Sequence, residues 1–319
     1  MPTLRVHVPA TTANLGPGFD VLGLALDLWN TVTVRPSPAL RVSVAGEGAS
    51  SLPADARNRV WQAFEAVFAR VRAPIPTVAM HCENRIPLSS GLGSSAAAAL
   101  AGAWAANVWL GEPLSQAELL ALVTEMEGHP DNAAPALLGG LTAAGLDADG
   151  RPWARSLPMA EAWYTGELVV WYALPDVALS TEAARAALPK QVALADAVFN
   201  LSRAVLLLEA FRQGDPGLLA QGMDDRWHQP YRLPLIPGAT EALRRAREAG
   251  AWAGALSGAG PGVVAFASPE ATGVGEAMRQ GFASRGIAAR LWRLRPTPRG
   301  VWHEREGTVG RRQSVVGSR

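Results

Sequence analysis

The chain has 319 residues, 49% of them hydrophobic, a formal net charge of +1 and one cysteine, Cys82. That is enough apolar material for one large domain or two of ordinary size. The near-neutral balance gives no argument for nucleic acid or an acidic surface as partner, and a lone cysteine excludes an intramolecular disulfide and fits a reducing compartment. No cationic, apolar leader opens the sequence, and the longest apolar stretch, 96–110, is shorter than the roughly 20 residues a membrane-spanning helix needs. A cytoplasmic protein without a membrane partner is the expectation.

Leu4–Val8 alternates as a strand does, and Thr31–Val34 and Leu40–Val44 read as further strands. Asn58–Arg72 has helical spacing, with Val60, Phe64, Val67, Phe68 and Val71 on one face. Val78–Arg85 is extended and ends at Ile86 and Pro87. A Gly/Ser loop follows, then an Ala-rich helix to about Leu110. Ser115 and Glu118 form a capping box for a helix to Met126. Leu168–Leu174 reads as a buried strand, and Thr181–Ala187 and Val192–Gln213 as helices. Thr240–Glu248 is a helix ended by Gly250. Trp252–Leu256 leads into a Gly-rich turn, Val263–Ala267 is a strand, Pro269–Arg285 a helix and Arg290–Arg295 a closing strand. From about Arg305 the pattern fails, and 305–319 is expected to be a disordered tail. Strands and helices mix without a strict βαβ rhythm, which suggests an α+β fold. A polar, Pro-containing stretch near 148–166 places a boundary between domains 1–155 and 156–304.

Chemistry concentrates in residues 87–95, Pro-Leu-Ser-Ser-Gly-Leu-Gly-Ser-Ser. A small, hydroxyl-rich loop opening into a helix suits an anion, because the first-turn N–H groups lack intrahelical partners and carry the positive end of the dipole. Gly91 and Gly93 permit positive φ and close approach of a phosphate. An ordinary tight turn before a buried helix is the alternative. The Walker pattern does not apply, since the only lysine of the chain is Lys190.

Two other segments accompany this loop. Residues 9–20 read Pro-Ala-Thr-Thr-Ala-Asn-Leu-Gly-Pro-Gly-Phe-Asp, and 256–262 read Leu-Ser-Gly-Ala-Gly-Pro-Gly. Together the three resemble the signatures of the GHMP kinase superfamily of small-molecule kinases. The first segment, and Glu-Gly-His-Pro-Asp-Asn-Ala-Ala-Pro-Ala at 127–136, are similar to homoserine kinases in particular. The resemblance implies an N-terminal α+β domain of ribosomal-protein type, a C-terminal ferredoxin-like domain, and a site between them. The implied activity is ATP-dependent phosphorylation of L-homoserine with Mg²⁺, in a homodimer.

The resemblance assigns Pro87, Leu88, Ser89, Ser90, Gly91, Leu92, Gly93, Ser94 and Ser95 to the nucleotide, and Asn58 to its adenine pocket, although a helix N-cap at Asn58 would look the same. Ser95 and Glu127 match the metal ligands. Relatives commonly leave a longer gap between this glutamate and the histidine than Gly128 alone, so Glu125 is a rival. Thr181, Arg185 and Arg232 match substrate-binding positions; arginine suits bidentate capture of a carboxylate. Asp20 is the natural ammonium partner, with Asn14, His129, Asn132 and Gly258 completing the substrate set. Asn132 is matched to the acceptor hydroxyl, with His129 and Asp131 as rival bases. A mevalonate-type kinase is disfavoured because no lysine stands near the first motif. A catalytically dead relative is disfavoured because Ser95, Glu127, Arg185 and Arg232 are all present.

Overall fold

The computed structural model describes residues 3–306. A seven-stranded sheet holds β1 (Leu4–Ala13), β2 (Leu22–Pro36), β3 (Arg41–Gly46), β4 (Val78–Asn84), β5 (Leu141–Leu146) and β6 (Pro152–Ser156). A four-stranded antiparallel sheet holds β7 (Val169–Pro175), β8 (Ala251–Leu256), β9 (Val263–Ala267) and β10 (Ala289–Leu294). The last strand, β11 (Trp302–Arg305), returns to the first sheet and pairs with β1. Trp302–His303, expected at the end of the second domain, and Arg305, expected in the tail, therefore belong to the first sheet. The rest of the expected tail, 307–319, lies outside the described residues.

The order in the second sheet is β10-β7-β9-β8. Numbered within the sheet this is 4-1-3-2, the ferredoxin-like order implied by the resemblance. The stretch near 148–166, where the boundary between domains is expected, carries secondary structure: β6 pairs with β5 and a short helix follows at Glu161–Thr165.

Helices α1 (Arg59–Val71), α2 (Ser94–Trp109), α3 (Gln116–Glu127) and α4 (Ala133–Leu138) cover the core face of the first sheet. Alternation on β1 explains this: Leu4, Val6 and Val8 are buried, while Arg5 faces out. Helix α2 is apolar all round and buried on most sides, as a helix wedged between a sheet and other helices must be. Its alanines let α1 and the strands pack closely, so the anion-binding end of α2 is held by the centre of the domain. The Glu161–Thr165 helix is α5; the chain continues through α6 (Thr181–Ala186), α7 (Leu194–Gln213), α8 (Pro216–Gly222), α9 (Gln229–Arg232), α10 (Ala239–Glu248) and α11 (Val274–Ala283). Helices α10 and α11 pack on the second sheet through Ala239, Ala242, Val274, Met278 and Phe282.

Candidate active site

Three segments far apart in sequence are laced together at the start of α2. The Thr11 N–H donates to Leu92 O at 3.1 Å and the Gly258 N–H to Ala13 O at 3.1 Å. Ser257 Oγ donates to Gly91 O at 2.8 Å and lies 2.9 Å from Thr12 Oγ1. Two glycines are required by this closeness. Gly91 has φ +84°, and a Cβ there would lie 2.1 Å from Ser257 O; Gly93 has φ +67°, and its Cβ would lie 2.1 Å from Thr11 Oγ1.

Gly93 is the N-cap of α2, and no side chain caps this helix. Its first N–H groups are thus available to an anion. Within the loop, Ser89 and Ser95 are exposed and Ser94 half-buried, whereas Pro87, Ser90 and Leu92 are buried. Ser90 is part of the scaffold: its Oγ donates to Pro87 O at 2.7 Å and accepts from the Leu92 N–H at 3.2 Å. The Ser90 carbonyl accepts from the buried Tyr172 hydroxyl at 2.5 Å, tying the loop to β7 of the second sheet.

The two candidate glutamates point to different places. Glu127 closes α3 and accepts from Ser95 Oγ at 2.8 Å; its side chain is 11% exposed. Glu125 is 62% exposed and pairs on the surface with Arg70 at 2.8 Å. The Ser95–Glu127 pair is a hydroxyl and a carboxylate at the mouth of the anion loop, the hard oxygen donors that Mg²⁺ accepts when phosphate and water fill its other positions. Among the described residues no group of three or more His, Cys, Asp and Glu could hold a metal alone. Arg59, which the sequence reading missed, donates to Glu127 Oε1 at 2.6 Å and also to Met126 O. Asn58 caps α1, accepting from the Val60 N–H at 3.0 Å and donating to Pro53 O at 2.7 Å.

Beside the loop lies a charged cluster. Asp20 and Arg185 form a two-armed ion pair at 2.8 and 3.1 Å, both partly exposed. Asp20 holds the Arg185 guanidinium in its charged form, against the cost of partial burial. Thr181 is exposed one turn before Arg185 on α6. Arg232, on α9, is buried, donating from Nε to Ala184 O at 3.1 Å; burial pulls its pKa down. The Phe19 ring lies under both arginines, 5.8 Å from the Arg185 guanidinium carbon and 5.0 Å from that of Arg232.

The remaining predicted residues divide between loop and frame. Asn14 is buried and uses its amide internally: Nδ2 donates to Gly258 O at 2.8 Å and Oδ1 accepts from the Asp20 N–H at 2.9 Å. It orients Asp20 and Gly258. Asn132 is half-buried, its Oδ1 accepting from Thr11 Oγ1 at 2.8 Å beside Gly93. His129 Nδ1 is 2.5 Å from Asp131. That hydrogen bond raises the histidine pKa, with burial opposing and the Asp131 and Asp20 charges adding. The sequence reading also missed the frame of Arg232. The buried Asp225 carboxylate accepts from the Trp227, His228 and Gln229 N–H groups at 2.7–3.0 Å and from Asn200 Nδ2 at 2.7 Å, starting α9. His228, buried and with a lowered pKa caused mainly by desolvation, lies with Nε2 2.9 Å from Gly16 O.

Comparison with known proteins agrees with this architecture. The model of the GHMP kinases N terminal domain matches residues 58–140, and that of the GHMP kinases C terminal domain matches 207–284. A homoserine kinase of Moorella thermoacetica is 45% identical over 296 residues, covering 93% of this chain and 98% of that protein. The chain belongs to the homoserine kinase family of GHMP kinases. A homoserine kinase of Carboxydothermus hydrogenoformans is 44% identical over 93% of this chain and 95% of its own. The crystal structure of homoserine kinase from Cytophaga hutchinsonii superposes with a TM-score of 0.83 at 31% identity, covering 95% of this chain and 98% of the other. A mevalonate kinase of L. major, at 17% identity and a TM-score of 0.68, shares the fold.

Proposed function

We propose that this enzyme transfers the γ-phosphoryl group of ATP to the side-chain hydroxyl of L-homoserine, yielding O-phospho-L-homoserine for threonine synthesis in the cytoplasm. The observation that carries the substrate class is the Asp20–Arg185 pair beside the anion loop. It offers one negative and one positive group side by side, matching the ammonium and carboxylate of an α-amino acid. A substrate with a carboxylate alone would leave Asp20 without a counter-charge.

The open N-terminus of α2 and the Ser89, Ser94 and Ser95 hydroxyls receive the ATP phosphates, whose charge favours that end of the helix. Ser95 and Glu127 would hold Mg²⁺, and the ion would supply charge neutralisation at the transferring phosphoryl group. Arg185 and Arg232 take the substrate carboxylate, Asp20 the ammonium, and Phe19 aligns both guanidinium groups. Asn132 orients the acceptor hydroxyl, which attacks the γ-phosphorus as the bond to the β–γ bridging oxygen breaks. An amide takes no proton at neutral pH, so the hydroxyl proton passes to a γ-phosphoryl oxygen, and positioning with electrostatics supplies the catalysis. His129 is committed through Nδ1 to Asp131 at 2.5 Å, a hydrogen bond that raises its pKa, and this route asks no base of it.

ADP release with L-homoserine, with mevalonate and without acceptor tests the reading. Turnover dependent on L-homoserine supports it. Turnover with mevalonate in its place, or equal rates with no acceptor, overturns it.

A further inference from the structure

Arg59 opens α1 and reaches across to Glu127. Its backbone is fixed: Asn58 caps the helix, and α1 presses so closely on α2 that a Cβ on Gly102 would lie 2.0 Å from Val60 O. Its side chain is 34% exposed. Arg59 Nη2 donates to Glu127 Oε1 at 2.6 Å, the same oxygen that accepts from Ser95 Oγ at 2.8 Å. Arg59 Nε is buried and has no hydrogen-bond partner among the described residues. The residue thus spans from Asn58, which the resemblance gives to adenine, to Ser95 at the start of α2.

Charge explains why a guanidinium stands there. Glu127 is largely buried, and a buried carboxylate without a positive partner is costly. Arg59 supplies that partner whenever no metal ion is held. A triphosphate laid along the loop carries more negative charge than one divalent ion offsets, and P-loop enzymes meet the remainder with a lysine. This chain has no lysine there, its single one being Lys190. Arg185 and Arg232 are committed to the substrate carboxylate in the kinase reading. Arg59 stands on the nucleotide side, and its planar fork of donors suits phosphate oxygens.

We propose that Arg59 is a phosphate-binding residue that shields Glu127 while no metal ion is held and turns to the phosphates of ATP when Glu127 takes up the ion. The proposal rests on the kinase reading and adds a residue to it. The exchange is even in charge: Glu127 trades one cation for another, and Arg59 trades one oxyanion for another. It needs only side-chain rotation, since the cap and the contact with α2 hold the backbone. Because Glu127 and ATP compete for Arg59, removing the Glu127 charge should strengthen the binding of metal-free ATP while weakening that of MgATP.

Binding of the fluorescent analogue mant-ATP to the full chain, in EDTA and in excess Mg²⁺, tests it. In EDTA, Glu127→Gln should tighten binding about tenfold and Arg59→Met should weaken it about tenfold, the scale of one hydrogen bond to a charged group. The gain from Glu127→Gln should vanish in the Arg59→Met background, where no guanidinium is left to free. Arg59→Lys should recover part of the loss. Native affinity of Arg59→Met in EDTA overturns the proposal. So does a gain from Glu127→Gln that persists in full in Arg59→Met, because Glu127 would then merely repel the phosphates. A native chain that binds no mant-ATP in Mg²⁺ overturns the kinase reading itself, and the proposal with it. If Arg59→Met does not fold by circular dichroism, Arg59→Gln, which can still donate to Met126 O, takes its place in the cycle.

Discussion

Replacing Glu127 by glutamine tests the metal reading by removing the carboxylate charge while keeping the shape of the side chain. The amide keeps an oxygen able to accept from Ser95 Oγ and Arg59 Nη2, now 2.8 and 2.6 Å away, so the local packing survives. Only the charge is lost. A unit charge about 4 Å from another is worth about 4 kcal/mol at the effective dielectric of ~20 suited to a partly buried site. Compensating solvation trims this, and ~3–4 kcal/mol, or about 10²–10³-fold, is expected in kcat/KM for MgATP. The matched control is Glu125→Gln. That residue is two positions away on the same helix but 62% exposed and paired with Arg70. Loss of an exposed pair costs about 0–1 kcal/mol of stability and should leave kcat unchanged. Initial rates at fixed ATP and varied Mg²⁺ make the comparison. Glu127→Gln should raise the Mg²⁺ concentration for half-maximal rate, whereas Glu125→Gln should trace the native curve. Normal Mg²⁺ dependence in Glu127→Gln with an inactive Glu125→Gln would refute the assignment.

Three further outcomes follow from the same geometry. Arg185→Ala should lower kcat/KM for L-homoserine by ~2 kcal/mol, the low end for a desolvated charge pair because Arg185 is 46% exposed, while ATP hydrolysis without acceptor stays near native; equal loss of both would place Arg185 at the nucleotide. Tyr172→Phe removes the buried hydroxyl that donates to Ser90 O, but the Gly262 N–H still reaches that carbonyl at 3.3 Å, so urea unfolding should show a loss of only ~1 kcal/mol; a loss above ~3 would mean the loop depends on it far more. His129→Gln should keep a substantial part of kcat with the same pH profile. Because the folded His129 pKa is raised, its contribution to stability is full below the unfolded value and fades as pH rises through the folded one, so the variant should differ from the native chain in unfolding most at acidic pH and converge with it at alkaline pH; the reverse trend would contradict the Asp131 hydrogen bond.

What the sequence discloses here follows the range of the interactions involved. Helices α1, α3 and α10 were legible because their caps and apolar faces lie within one or two turns. Strand β2 was read as Thr31–Val34, where residues alternate, although it begins at Leu22; its first half, 22–26, is buried throughout and carries no alternation. The edge strands β6 and β11 are five and four residues long and take their identity from partners elsewhere, β5 and β1.

The site divides in the same way. The phosphate loop was evident because glycine, serine and a helix start are adjacent in sequence. Glu125 and Glu127 could be set apart only in space, since two positions on a helix turn side chains to nearly opposite sides and either could face Ser95. Arg59 and Thr11 escaped notice because Glu127 and Asn132, the groups they bond, are 68 and 121 residues away. Asn14 has the residue type of a substrate ligand, yet folding commits its amide to Gly258 and Asp20. The apolar content of α7 was visible, whereas its outward orientation depends on the contacts of Asn200 and Phe199 with the Asp225–Arg226 segment.

The central claim is that phosphoryl transfer ends on the side-chain oxygen of an amino acid held between Asp20 and Arg185. A phosphorus–proton correlation spectrum of the product formed from ATP and L-homoserine tests it directly. The account predicts a phosphomonoester whose phosphorus couples to the methylene protons at the hydroxyl-bearing carbon, with one ADP per product. A phosphorus signal without that coupling, as from an acyl phosphate or free phosphate alone, would contradict it.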